Sequence, residues 1–149
     1  MIRILFVCHG NICRSPMAEC YLKHLIHKAG RDRDFTVASA ATSREEIGHD
    51  IHWGTKEILT AKGIPYTRRK ARQITKADYD DYDYIITFDA ENKWEVTRLL
   101  GPDRDHKVQS LLSFAGLTRD VADPWYTGDF TQTYADVEQG CQALWQQIQ

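Results

Sequence analysis

"RILFVCHGNICRSPMAE", residues Arg3 to Glu19, passes from an apolar run through a glycine-containing turn to a Ser-Pro pair. Arg3 to Val7 has the composition of a buried strand. Ser15 is suited to cap a helix and Pro16 to occupy its first position. Met17, Tyr21, Leu22, Leu25 and Ala29 then recur at helical spacing, which predicts a helix to about Lys28, stopped at Gly30. A strand running through a turn directly into a helix begins a βαβ unit, and the rest of the chain continues the pattern.

Phe35 to Ser39 reads as a second strand, followed by a helix within Ile51 to Lys62 that Gly63 and Pro65 close. Tyr82 to Phe88 reads as a third strand, with Asp89 capping a helix to about Leu100. "KVQSLL", Lys107 to Leu112, is a fourth, short strand. Tyr134, Val137, Cys141, Leu144 and Ile148 form an apolar stripe on a last helix, Phe130 to Gln147. Strands alternating with helices predict an α/β fold, a parallel sheet covered on both faces by right-handed crossovers. Ligands of such sheets bind beyond the carboxyl ends of the strands, where the opening turn lies.

The bulk properties narrow the function. The 149 residues suit one domain, 1–149, with a single core. A net charge of −2 supplies no global field for nucleic acid or an anionic membrane. No run approaches the length of a membrane span, and "MIRILFVC" lacks the features of a signal peptide, so a cytoplasmic protein is expected. Cys8, Cys13 and Cys20 crowd one segment while Cys141 is distant. That is too sparse for a disulfide scaffold, and the chain lacks the second ligand pair of a structural zinc site, so no metal is expected. The run "RRKAR", Arg68 to Arg72, reads as a solvated loop.

The turn itself has chemistry. A chain curling from strand into helix points successive N–H groups into one concavity, which with the helix end makes an oxyanion nest. Gly10 permits close approach, and Asn11 tolerates left-handed φ. Arg14 can grip two oxygens of a tetrahedral anion with its planar fork. Cys8 faces these donors, which favour its thiolate, and Ser15 can donate to the sulfur. The arrangement suits covalent catalysis at phosphorus. The leaving oxygen then needs a proton from elsewhere. Ala115 to Asp129, "AGLTRDVADPWYTGD", has no periodic pattern and offers Asp123 followed by Pro124, Trp125 and Tyr126. Asp120 and Asp129 are competitors for the acid, readable equally as a solvated loop residue and a helix cap.

"VCHGNICRSPMAE", "SAATS" (Ser39 to Ser43), "ARQIT" (Ala71 to Thr75) and "DPWY" together resemble the low-molecular-weight protein tyrosine phosphatases over nearly the whole chain. The resemblance implies a three-layer α/β/α, phosphatase I-like fold with four parallel strands in the order 2-1-3-4. It implies Cys8 as nucleophile, Arg14 as phosphate clamp, and Asp123 as general acid and then base for hydrolysis of a phosphocysteine. His9, Gly10, Asn11, Ile12, Cys13, Ser15, Glu45, Trp125 and Tyr126 would form or line the substrate site, and Asn11, Ser15 and Ser39 would hold the loop. Cys13 matches a second loop cysteine that in relatives can form a reversible disulfide with the nucleophile. No cofactor is implied. The expected partners are phosphotyrosine proteins or peptides, with inorganic phosphate as product.

Several positions depart from the family pattern. Glu45 stands near a rim position that is often aromatic, His9 replaces a common apolar residue, Arg69 falls near a His of mammalian relatives, and Trp125 replaces the first of two tyrosines. Trp53 is an alternative aromatic wall, although such a residue is more often core. Two enzyme classes on the same fold are alternatives. Thiol-linked arsenate reductases need further cysteines on a mobile loop, and Cys20 and Cys141 lie on helices. Protein-arginine phosphatases carry Thr where this chain has Ile12. A non-enzymatic phosphate-binding module would lack the nucleophile or the acid, and this chain has both.

Overall fold

The computed structural model describes residues 1–149. The elements are β1 (Ile2–Cys8), α1 (Arg14–Lys28), β2 (Phe35–Ala41), α2 (Trp53–Ala61), α3 (Lys76–Asp81), β3 (Tyr84–Thr87), α4 (Ala90–Leu100) and β4 (Val108–Ser110). A 3-10 helix (Leu111–Ala115), α5 (Pro124–Thr127) and α6 (Phe130–Ile148) complete the chain. The strands form one sheet in the order β2-β1-β3-β4, as the family resemblance implies. All pairings are parallel, with Cys8 opposite Ala41 and Val7 opposite Thr87.

β1 is central, and Ile4 to Val7 are wholly buried because both faces of the sheet are covered. Alternation along the strand divides the core in two. Ile4, Phe6 and Cys8 join Met17, Leu22, Val137, Cys141 and Leu144 on the α1/α6 side. Leu5 and Val7 join Ile74, Ile85, Val96 and Val108 on the α4 side. The α6 stripe read from the sequence is buried throughout. α6 approaches the 3-10 helix closely at Gly140, where an added Cβ would lie 2.5 Å from Leu111 Cγ. No helix is long and apolar enough to cross a membrane.

Some local expectations are corrected. α1 starts at Arg14 with Cys13 at its cap, so Ser15 lies inside the first turn. Its hydroxyl is engaged by Cys8 and Asn11 instead of capping. Ile26, not Ala29, completes the buried face of α1. α2 begins at Trp53, after His52, whose ring accepts the Gly54 N–H at 3.0 Å. Tyr82 ends α3 and does not enter β3. α3 itself was not anticipated: "KADYDD" has no apolar period, and the helix rests on a Thr75–Asp78 capping box. Leu111 and Leu112 leave β4 for the 3-10 helix, where both are buried. Trp53 is exposed, not core.

Candidate active site

β1 delivers Cys8 to the carboxyl end of the sheet, and the next five residues curl into α1, which starts at Arg14. Asn11 takes the left-handed conformation at φ 59° that makes this curl possible. The loop is held from behind by its carbonyls. Thr42 N–H donates to Cys8 O at 2.9 Å, Ser43 N–H to His9 O at 3.0 Å and His52 N–H to Ile12 O at 2.9 Å. Thr55 Oγ1 donates to Cys13 O at 3.1 Å, and the Arg69 guanidinium donates to Asn11 O. In a trans peptide the N–H points opposite to the C=O. Five carbonyls turned outward therefore turn five N–H groups toward the concavity, the nest that an oxyanion requires.

Cys8 Sγ lies 3.1 Å from Ser15 Oγ and accepts the Ser15 backbone N–H at 3.4 Å. Asn11 Nδ2 donates to Ser15 Oγ at 2.8 Å and to Ser39 Oγ at 2.9 Å. Ser39 Oγ in turn donates to Glu19 Oε1 at 2.5 Å. Because Asn11 supplies the proton that Ser15 accepts, the Ser15 hydroxyl proton is free to point at the sulfur. The network thus directs two donors at Cys8 and stabilises negative charge there. The side chains of Asn11, Ser15 and Ser39 bond one another behind the loop, and none of the three is among the residues that line the cleft.

Arg14 is almost fully buried. Its Nη1 donates to Asp89 Oδ2 at 2.6 Å and to Val121 O at 2.9 Å, while Nη2 reaches Asp123 Oδ2 at 3.3 Å. Burial opposes its charge, but Cys8, Asp123 and Asp89 outweigh burial and push the pKa up. Its Nε is buried with no partner. Unpaired buried donors are costly, and this one belongs to a residue that lines the same cleft as Cys8. Asp123 Oδ1 accepts the Trp125 N–H at 3.0 Å, capping α5. Asp120 accepts from Ala90 N–H and Asp129 caps α6, which accounts for the two competing carboxylates.

These groups surround a cleft of about 70 Å³ lined by Cys8, His9, Gly10, Ile12, Cys13, Arg14, Glu45, Glu46, Asp123, Trp125 and Tyr126. His9 Nε2 lies 2.9 Å from Glu45 Oε2, and His49 Nδ1 lies 2.5 Å from Glu46 Oε2. Trp125 and Tyr126 are exposed at the rim. Burial, then the neighbouring Cys8 sulfur, push the Cys13 thiol up, so Cys13 remains protonated beside Cys8. A larger groove of about 670 Å³ along α1 includes Cys20, Lys23, Tyr66 and Arg69 but lacks a comparable nucleophile and clamp. Burial pushes the Cys20 thiol there up to about 11.

Sequence reasoning missed five contributors. The sequence marks Asp89 only as a cap; it does cap Asn92 N–H at 2.7 Å, but its other oxygen grips Arg14. Glu46 lines the cleft beside Glu45. Arg69 and Arg72 are not simply solvated: Arg72 forms a double hydrogen bond with Asp78, and its N–H donates to Asn11 Oδ1 at 3.2 Å. His52 supports the loop and the aromatic rim. The sequence signals for the arginines are their charge run, which local composition assigns to solvent, and, for Arg69 alone, its place near a His of mammalian relatives.

The low molecular weight phosphotyrosine protein phosphatase model matches residues 3–149. The chain is 40% identical over 151 residues to the low molecular weight protein-tyrosine-phosphatase YfkJ of Bacillus subtilis, covering 100% of this chain and 97% of that protein. The YfkJ crystal structure superposes with a TM-score of 0.96, covering 99% of this chain and 94% of that one. SP-PTP, from Streptococcus pyogenes, is 37% identical with a TM-score of 0.89, covering 100% and 94% of the two chains. A drosophila arginine phosphatase, DARP, is 31% identical with a TM-score of 0.89, covering 98% and 97%. A match this long, with the nest, sulfur, guanidinium and carboxylate in one cleft, places the chain in the low molecular weight phosphotyrosine protein phosphatase family.

Proposed function

We propose that the protein hydrolyses phosphotyrosine, in proteins or peptides, and small aryl phosphates through a phosphocysteine on Cys8. One observation carries this reading: the donors on Cys8, the unpaired Nε of Arg14 and the carboxylate of Asp123 converge on one cleft. The phosphoryl oxygens sit in the N–H nest and on the Arg14 fork. Cys8 Sγ attacks phosphorus as the P–O bond to the aryl group breaks, and protonated Asp123 gives its proton to the departing oxygen. Asp123, now a carboxylate, takes a proton from water as that water attacks the phosphocysteine. Inorganic phosphate leaves, and the thiolate is restored.

Ile12 supports an aryl substrate, since a branched apolar residue lines the cleft beside Trp125 and Tyr126. Four unpaired cysteines, the catalytic thiol among them, suit the reducing cytoplasm, where we place the protein. The charge of −2 and the internal contacts of Arg69 and Arg72 support a reading without nucleic acid. Hydrolysis of a phosphotyrosine peptide and of p-nitrophenyl phosphate tests the proposal. Cys8→Ser should abolish turnover. Asp123→Ala should lose about 10²–10⁴ on the peptide and less on the nitrophenyl ester, whose leaving group needs little protonation. Full activity of Cys8→Ser would overturn the reading.

A further inference from the structure

His52 sits where the phosphate loop, α2, α6 and the acid loop meet. Its backbone N–H holds Ile12 O at 2.9 Å, and its Nδ1 accepts Gly54 N–H at 3.0 Å. Its ring stacks on Phe130, with centroids 5.2 Å apart and planes at 15°. Trp53 closes against it at 5.4 Å, and Trp125 meets it edge-on at 5.7 Å and 79°. The stack depends on Gly54: a Cβ there would lie 2.6 Å from the Phe130 ring. Burial pushes the imidazole down, in keeping with a neutral ring whose Nδ1 accepts the capping bond.

We propose that His52 is a positioning residue for the acid step, the seat on which Trp125 docks the loop that carries Asp123. The transmission is short. Trp125 meets His52 through its ring and donates its own backbone N–H to Asp123 Oδ1 at 3.0 Å. The residue that touches the seat therefore also orients the carboxylate. The other hold on that carboxylate is Arg14, at a longer 3.3 Å, and the Arg14 fork is needed by the substrate anion. Once phosphate engages the fork, the Trp125–His52 contact is what keeps Asp123 over the leaving oxygen. An edge-to-face aromatic pair is attractive beyond the area it buries, which biases a short loop segment toward the docked position. The proposal rests on Asp123 being the proton donor.

His52 has two separable functions, and two variants divide them. His52→Asn keeps an acceptor for Gly54 N–H but removes the ring. His52→Phe keeps the ring but removes the acceptor. Both are compared with Asp123→Ala for kcat on phenyl phosphate, a poor leaving group, and p-nitrophenyl phosphate, a good one. The expected result is a melting temperature near the parent's for His52→Asn, with kcat on phenyl phosphate down about tenfold and a smaller loss on the nitrophenyl ester. His52→Phe should melt lower yet keep the parent's ratio between the two esters. Trp125→Ala, which removes the same contact from the loop side and leaves α2 intact, should reproduce the leaving-group-selective loss. His52→Asn placed in Asp123→Ala should add no further loss on phenyl phosphate. Equal losses on both esters in His52→Asn and Trp125→Ala, or a further loss in the Asp123→Ala background, would overturn the proposal. Equal losses in Asp123→Ala alone would instead sink the acid assignment, and the seat with it.

Discussion

Asn11 donates to Ser15 Oγ at 2.8 Å, and this bond decides which way the Ser15 hydroxyl can point. With the Asn11 amide at one lone pair of Ser15 Oγ, the Ser15 hydroxyl proton is available to a thiolate at Cys8 Sγ, 3.1 Å away. A hydrogen bond to a charged acceptor contributes about 1.5–3 kcal/mol, so Ser15→Ala should slow Cys8 alkylation by iodoacetamide at neutral pH roughly tenfold or more. Labelling followed by peptide mass spectrometry checks this. An unchanged alkylation rate would show that the hydroxyl does not serve the thiolate.

Cys13 lines the same cleft as Cys8 and is held protonated by burial and by the Cys8 sulfur. Peroxide oxidises the Cys8 thiolate to a sulfenic acid; that charge is then gone, and the Cys13 thiol can displace water to form a disulfide. Mild peroxide should inactivate the enzyme, and added thiol should restore it. Cys13→Ser should recover less after the same exposure. Recovery equal to the parent's would remove the protective role.

Asp50 ties the start of α2 to the segment that supports the phosphate loop. Its carboxylate accepts from Lys56 Nζ at 2.7 Å and from Arg69 N–H at 3.0 Å. Partial burial would raise its pKa, but the Lys56 ammonium and the N–H groups of Arg69 and Ile51 outweigh that and hold it at about 2. The folded value lies below the unfolded one of about 3.9, so the stabilisation is present above about pH 4 and is lost as pH falls through the folded value. Asp50→Asn should lower the melting temperature by a constant amount above about pH 5, and the gap should close as pH falls from about 4 toward 2. A gap independent of pH would contradict this ionic role.

Gly140 lets α6 lie against the 3-10 helix, with the position of a Cβ only 2.5 Å from Leu111 Cγ. Gly140→Ala gains helix propensity but overpacks the wholly buried Leu111. Denaturant unfolding should show a loss of about 1–3 kcal/mol. A stabilised variant would mean that Leu111 can move aside at no cost.

How much could be read in advance follows from how local each interaction is. The phosphate loop was legible because Cys8, Asn11, Arg14 and Ser15 fall within eight consecutive residues between a strand and a helix. Asp123 was legible because it precedes a proline in a stretch without period. Arg69 and Asp89 were not, because each reaches the loop from a distant segment through its side chain tip. Local composition assigned Arg69 to a solvated charge run and Asp89 to capping alone. The sequence leaves Trp53 open between an aromatic wall and core; the Phe130 ring occupies the space over Gly54, and Trp53 is exposed on the aromatic stack. α3 escaped because a capping box, not an apolar face, defines it.

The central claim is that phosphorus passes through sulfur at Cys8. In Asp123→Ala the first step still proceeds with p-nitrophenyl phosphate, while the second lacks its base, so the intermediate accumulates. Rapid acid quench and peptide mass spectrometry should find one phosphoryl group on the peptide that contains Cys8, formed together with a burst of nitrophenolate, and none in Cys8→Ser. A burst without that adduct, or an adduct that survives Cys8→Ser, would contradict the account.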